Sequence, residues 1–516
     1  MKKHAKALVM LALLPGMHLY AIPPDQPPEI EVFIAGSTTQ DASLENLMRL
    51  TSGIPGTPNV CQTGSLDVYR GKINGIEKRV YYCLTSEFID GVPSGLRLAV
   101  HKSSAGSGEG VAPVANAQQI SYIDLENLPE DNNCSTPSRI LHSGDLAAYS
   151  NRTDCGGGGK LAVPGLGVSD IEPTLLGKDT SRLSFRSKSQ IIWGLPVSKN
   201  FRNALQALQG LVPADVAHDS PERESEQNMP SLTSAQVASI FSGAIQSWSQ
   251  LYDSRGNPSY LSPDLPVHPP ELRDLSGTRP GAYQPTPRGG QTVYVCRRTS
   301  KSGTQAAYET QYLKRRCFQG APDFVSADDG SDPLVGGNPE LLVRRPDPAG
   351  RVFAGNDTSA VRACLDAHDE FNRWGIGMFS TENVGDNLRN EFRFIRVDGY
   401  APTLINAHRG LWSHVSEPTM QWRSATRPQM ETSREGRTLL FLQANIGKPR
   451  VLSALNAGAE HPWGQGGYLA IPDRASRMDK VPVTTESLLE FPVAGVSRTS
   501  QDCQVSLVRG ASSAAQ

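Results

Sequence analysis

Residues Val293 to Tyr308 read V-Y-V-C-R-R-T-S-K-S-G-T-Q-A-A-Y. Val293-Tyr294-Val295 is a short run of the residue types that strands favour, and Gln305 to Lys314 is a good helix-forming segment. Between them, Arg298 to Thr304 forms a tight polar turn, with Ser302-Gly303-Thr304 where the helix begins. A helix start leaves backbone N–H groups unpaired and carries the positive end of the macrodipole. Glycine lets a ligand approach the main chain closely. The two hydroxyls can donate further hydrogen bonds, and Arg298 adds a permanent planar cation with a two-pronged fork. Together these features make a site for a small oxyanion. The plainer alternative is a Ser/Thr helix cap beside a solvated arginine.

Outward from this stretch, the same grammar recurs. Glu31-Val32-Phe33-Ile34 reads as a strand, Ala35-Gly36-Ser37-Thr38-Thr39 as its turn, and Leu44, Leu47, Met48 and Leu50 follow at helical spacing. An ordinary strand-to-helix turn with a Ser/Thr cap would look the same. Arg97 to Val100 is a second strand, running into His101-Lys102-Ser103-Ser104-Ala105-Gly106-Ser107-Gly108-Glu109-Gly110. Its alternating glycines fit either a backbone nest for an anion or a flexible surface loop. The third glycine comes too early for a dinucleotide fingerprint, and no Gly-Lys-Ser/Thr follows, so a P-loop is excluded. Gly156 to Gly159 precede Lys160-Leu161 and fail the P-loop pattern as well. Asp170 closes the apolar stretch Gly165-Leu166-Gly167-Val168-Ser169; a lone aspartate there also reads as a helix cap.

The chain has 516 residues, enough for two or three domains. Its 38% hydrophobic and 20% charged residues, with 48 Gly and 38 Pro, describe a loop-rich globular protein. A net charge of −2 and no basic tail give no reason to bind nucleic acid. Lys2, Lys3 and Lys6 precede a short apolar run, Ala7 to Leu14, broken by Pro15-Gly16, with a plausible cleavage point at Ala21. This pattern predicts a secretory signal, too short to span a bilayer. No later stretch is apolar enough to span, so a soluble, exported protein that is not membrane-embedded is expected. The eight cysteines fit that compartment. Cys61–Cys83 and Cys134–Cys155 are the simplest pairs, while Cys296, Cys317, Cys364 and Cys503 are open. No C-x-x-C exists and the ten histidines are scattered, so no metal is expected.

Asn132 to Gly159 reads as an irregular loop stapled by Cys134 and Cys155. Gln190 to Val197 is the most hydrophobic internal run, expected as a buried strand crossing between lobes. Phe201 to Leu211 is helical, Val212 to Met229 an acidic loop, and Ser231 to Phe241 a capped helix followed by Ile245 to Trp248. Ser254 to Gly290 is a proline- and glycine-dense insertion and Asp323 to Gly350 is turn-rich. Helix is expected at Val361 to Phe371 and Arg437 to Asn445, and strand at Gly375 to Ser380 and Gly467 to Ile471. No site attaches to the chain beyond Tyr400.

With these residues laid out, the chain resembles the periplasmic phosphate-binding proteins of ABC transporters, over roughly Glu31 to Ser380 with gaps. Ala35-Gly36-Ser37-Thr38-Thr39 resembles the family's first phosphate loop. This implies a hydroxyl contact from Thr38 and a backbone contact from Thr39. Gly106-Ser107-Gly108 resembles the second loop, with Ser107 as donor. Val168-Ser169-Asp170 resembles the segment whose aspartate accepts the phosphate proton. Arg298 to Thr304 matches R-x-x-x-S-G-T at full spacing, implying contacts from Arg298, Ser302, Gly303 and Thr304. The stretch Leu232 to Trp248 is similar to the family's second-lobe helix with its IF-G-I-W ending. The first loop lacks the family's aromatic after the threonine; the cysteines, the insertion and the chain length also depart from the usual pattern. The resemblance is therefore to a divergent, disulfide-bearing branch.

It implies an α/β fold of two lobes, the type II periplasmic binding protein fold, with the ligand in the cleft between them. The expected partition is a signal peptide at 1–21, lobe one at 22–190, lobe two at 191–395, and a return to lobe one with a C-terminal extension at 396–516. The implied function is phosphate or related oxyanion binding in uptake or scavenging, without a cofactor, by a periplasmic or secreted monomer. An ABC permease is the implied partner. Two rivals stand beside it. One is a secreted phosphatase-like hydrolase on the same lobes, against which there is no H-E-x-x-H and no G-x-S-x-G elbow. The other is an exported adhesive or matrix protein that has lost the ligand.

Overall fold

The computed structural model describes residues 26–51, 58–128, 134–135, 137–156, 159–213, 216–217, 220–250, 292–327, 351–370, 373–384, 392–471 and 483–508. The expected signal segment and the insertion at 254–290 lie outside the described residues, as does most of the turn-rich region.

Ile30–Gly36 alternates Ile30, Val32 and Ile34 into a buried face, as a half-covered strand should. It sits in a nine-stranded sheet whose order is Leu183–Ser187, Thr419–Arg423, Leu166–Ser169, Ile30–Gly36, Arg97–Ser104, Ile76–Leu84, Asp67–Ile73, Tyr149–Arg152, Ser138–Ile140. A second, five-stranded sheet has the order Val352–Gly355, Tyr294–Arg298, Gly375–Gly377, Pro196–Ser198, Phe392–Phe394. With their covering helices these sheets make two α/β lobes, each with its own apolar core.

The two sheets share one plan. In lobe one, Ile30–Gly36 lies parallel between Arg97–Ser104 and Leu166–Ser169, and Thr419–Arg423 runs antiparallel beside the latter. In lobe two, Tyr294–Arg298 lies parallel between Val352–Gly355 and Gly375–Gly377, and Pro196–Ser198 runs antiparallel beside the latter. The Ser-Thr-Thr turn and the Ser-Gly-Thr turn therefore leave the same strand of the two lobes. Parallel strands put the ends of successive strands, and the helix starts that follow, on one edge of the sheet. The arrangement places both polar turns where the lobes meet.

The chain crosses between the sheets on a small antiparallel sheet. Ser189–Gly194 pairs with Phe379–Ser380, Val415–Ser416 and Tyr468–Ala470. All six residues of Ser189–Gly194 are buried, as the hydrophobic run predicts. The four disulfides are Cys61–Cys83, Cys134–Cys155, Cys296–Cys364 and Cys317–Cys503.

Three local expectations change. The glycine-bearing stretch after Val100 is neither nest nor loop: the strand continues to Ser104 and the helix Ser107–Ala115 begins three residues later. Strand pairing with Ile30–Gly36 and Ile76–Leu84 on either side overrides the low strand propensity of the serines. The stapled loop contributes two short strands, Ser138–Ile140 and Tyr149–Arg152, which extend the sheet edge. The second-lobe helix is shorter than Leu232 to Trp248. It spans Ser234–Phe241, held by a capping box between Thr233 and Gln236. It stops because Gly243 turns at φ +76°, a conformation that ends helices.

Candidate oxyanion site

The site is built on Asp170, just past the end of Leu166–Ser169. Its carboxylate Oδ1 accepts hydrogen bonds from Ser37 Oγ and from Thr39 Oγ1, the latter at 2.7 Å. Its backbone N–H donates to Ser107 Oγ at 3.0 Å, and its carbonyl accepts from Ser416 Oγ at 2.8 Å. Asp170, Ser37 and Ser107 are all buried. Through its carboxylate and its main chain together, Asp170 thus ties the ends of three strands of lobe one to the returning crossing segment.

Lobe two closes on this cluster through Gly303. A Cβ on Gly303 would stand 1.9 Å from Ser107 Oγ and 2.4 Å from Asp170 Oδ2. Only glycine permits that approach, and it brings the start of the helix Gly303–Tyr308 onto the carboxylate. Ser302 precedes the helix as its cap residue, and Ser302 and Thr304 are buried beside it. The helix begins two residues before the expected Gln305 and passes at Glu309 into a π-helical turn, Glu309–Leu313.

Arg298 ends the strand Tyr294–Arg298 of lobe two. Its Nη2 donates to Asn356 O at 2.7 Å, and its Nη1 lies 3.5 Å from Thr304 Oγ1 and from Thr358 Oγ1. Its Nε is buried without a hydrogen-bond partner. Burial pulls the guanidinium below its ordinary pKa, while Asp170 and Asp357 oppose that pull. A guanidinium remains charged under such a shift.

The structure brings together Thr39, Ser107, Asp170, Gly303, Ser302, Thr304 and Arg298. Thr38 is the exception among the side chains: it is exposed, and the hydroxyls that meet Asp170 come from Ser37 and Thr39. Ser37 caps the short 3-10 helix Thr38–Gln40, accepting from Thr39 N, so it and not Thr38 faces inward.

Several neighbours escaped sequence reasoning. Glu382 follows the crossing strand Phe379–Ser380, and its Oε1 accepts from Ser380 Oγ at 2.6 Å and Tyr468 OH at 3.1 Å. Burial raises its carboxyl to about 7, with Asp170 adding to the rise. Tyr468 OH also lies 2.9 Å from Thr39 O. Glu382, Ser416 and Tyr468 come from segments without a local motif, so no signal in the chain marks them. Thr358 had one: Gly355-Asn356-Asp357-Thr358 is another strand-to-helix turn with a terminal hydroxyl.

Seven residues at or just past the ends of parallel strands, one carboxylate and one guanidinium among them, thus meet between the two lobes. No family model matches the chain, and no curated protein matches it. Among solved structures it is similar to a candidate phosphate ABC transporter substrate-binding protein from Clostridium perfringens, solved with bound phosphate. Identity is 11% and the TM-score 0.37, over 82% of this chain and 97% of that one. It is also similar to an ABC-type phosphate transport receptor from Vibrio cholerae (14% identity, TM-score 0.30, 58% of this chain and 80% of that one). A phosphate-binding protein from Stenotrophomonas maltophilia gives 14% identity and a TM-score of 0.28, over 55% of this chain and 75% of that one. At these values the functional reading rests on the geometry of the site itself.

Proposed function

We propose that the protein is an exported solute-binding protein for phosphate or a similar tetrahedral oxyanion, from a disulfide-bearing branch of the phosphate-binding proteins. The observation that carries this reading is the meeting of Gly303 with Ser107 and Asp170 across the two lobes, with Arg298 beside them. A ligand bound there touches donors from both lobes, so it favours the closed arrangement over an open one. Thr39, Ser107, Ser302, Gly303, Thr304 and Arg298 serve as donors. Asp170 accepts a hydrogen bond from a proton of the ligand, which phosphate has at neutral pH and sulfate lacks. The lobes divide near residues 190 and 395, and the remaining chain returns to lobe one. An ABC permease receives the ligand from the closed protein, and the chain acts without enzymatic turnover. Among the described residues no helix is long and apolar enough to cross a membrane, which fits a protein that works outside the bilayer.

Calorimetric titration with phosphate and with sulfate, beside a phosphatase assay with added divalent metal, tests this reading. Phosphate binding without release of phosphate from an ester is expected. Absence of any phosphate heat refutes the binding role, and metal-dependent ester hydrolysis refutes the absence of turnover.

A further inference from the structure

Beneath the Ser37–Gln40 turn lies a cation that the oxyanion reading does not use. Lys102 is fully buried. It belongs to Arg97–Ser104 and pairs in register with Ile34. Its Nζ donates to Gly36 O at 3.0 Å, Ser37 O at 3.0 Å and Ser103 O at 3.1 Å, and stands 3.2 Å from Asp41 Oδ1. A buried ammonium is costly unless its protons are used and its charge is paired; here three carbonyls take the three protons and Asp41 pairs the charge. The other charged groups around it are Arg79, whose Nη2 lies 3.6 Å from Asp41 Oδ2, Lys78, whose Nζ donates to Ser103 Oγ at 2.7 Å, and Asp170.

The consequence follows from peptide geometry. In a trans peptide the N–H points opposite to the C=O. The Ser37 carbonyl is held on Lys102, so the Thr38 N–H of the same peptide points away from Lys102. N–H groups in the first turn of a helix all point along the axis toward its start. The neighbouring Thr39 N–H points at Ser37 Oγ, which itself meets Asp170. Thr38 N–H therefore faces the side where the oxyanion is proposed to bind, although the Thr38 side chain faces solvent.

We infer that Lys102 is a positioning residue, a buried cation that clamps the Gly36 and Ser37 carbonyls and so presents the Thr38 amide N–H to a bound oxyanion. This rests on the proposed oxyanion binding and adds a residue that does not touch the ligand. It also moves the role of Thr38 from its hydroxyl to its main chain.

The test is amide spectroscopy of the full chain labelled with 15N-threonine, titrated with inorganic phosphate. In the native protein phosphate moves the Thr38 and Thr304 amide protons downfield. In Lys102→Met the Thr38 shift is lost, the Thr304 shift remains, and phosphate affinity falls by about tenfold, the loss of one hydrogen bond to a charged group. A merely structural lysine would lower the melting temperature without removing the shift at Thr38 alone. A Lys102→Met protein that keeps the Thr38 shift overturns the inference. Should that variant not fold, the native protein decides: a Thr38 amide left unmoved by phosphate that does move Thr304 overturns it equally. Phosphate that moves neither amide defeats the oxyanion reading first, and the clamp with it.

Discussion

Gly303→Ala tests the interlobe contact more directly than any change of charge. The added methyl would lie 1.9 Å from Ser107 Oγ and 2.4 Å from Asp170 Oδ2, whereas ordinary contact begins at 3.4 Å. Relieving the closer clash needs a parting of about 1.5 Å. Ser107 and Asp170 have little freedom to move aside, because both are buried and hydrogen-bonded to each other and to Ser37, Thr39 and Ser416. The lobes must part instead. A separation of that size breaks hydrogen bonds that a ligand makes to both sides. Two charge-assisted bonds at about 1.5 kcal/mol each correspond to roughly a hundredfold in affinity. The unliganded protein can open and relieve the clash, so its melting temperature should change little. Calorimetry with phosphate and a melting curve on the same samples separate the two quantities. An affinity within about twofold of the native protein would refute the closed geometry.

Arg298→Ala should weaken phosphate binding by at least about tenfold while the fold survives, because the guanidinium is the cation of lobe two beside the site; calorimetry and circular dichroism check both halves. Asp170→Asn should narrow the preference for phosphate over sulfate, because an amide can donate to either anion whereas the carboxylate repels sulfate; parallel titrations with the two anions measure the ratio. Asp502 offers a pH test. Burial, with Glu417 and Glu172 adding to it and Arg498 opposing it, lifts its carboxyl from 3.8 to about 7. The native state then holds a proton that the unfolded state has released, so this group's stabilisation is present below about pH 4 and is lost as pH rises toward 7. The buried histidines His368, His414 and His461, all depressed by burial, act in the opposite sense below their ordinary pKa. The readout is therefore the difference in melting temperature between Asp502→Asn and the native protein, which should move in favour of the variant from pH 4 to 7 and then level off; a difference independent of pH would refute it. Finally, non-reducing peptide mapping should recover Cys296–Cys364 and Cys317–Cys503 beside the two short-range bridges, and free thiols at these positions in protein from its native compartment would contradict an exported, oxidised chain.

The sequence by itself determined the strand-to-helix turns that carry chemistry. Arg298 to Thr304 was legible because a strand, a glycine-hydroxyl turn and a helix start are all local patterns. Ala35 to Thr39 was legible for the same reason. Cys61–Cys83 and Cys134–Cys155 were readable because each closes a short span. What the chain could not tell was which hydroxyl of Ser37-Thr38-Thr39 turns inward, since that depends on where a three-residue helix is capped. Nor could it mark Lys102 as more than a polar residue on a strand, because three of its partners are carbonyls presented by the fold and the fourth, Asp41, lies on a distant segment with no spacing to mark it. Glu382, Ser416 and Tyr468 reach the site from segments 200 or more residues away from Asp170, through the small crossing sheet. Local propensity and helix-start chemistry are written in neighbouring residues; the meeting of Gly303 with Ser107 and Asp170 exists only once two different sheets face each other, and that was the decision of the tertiary structure.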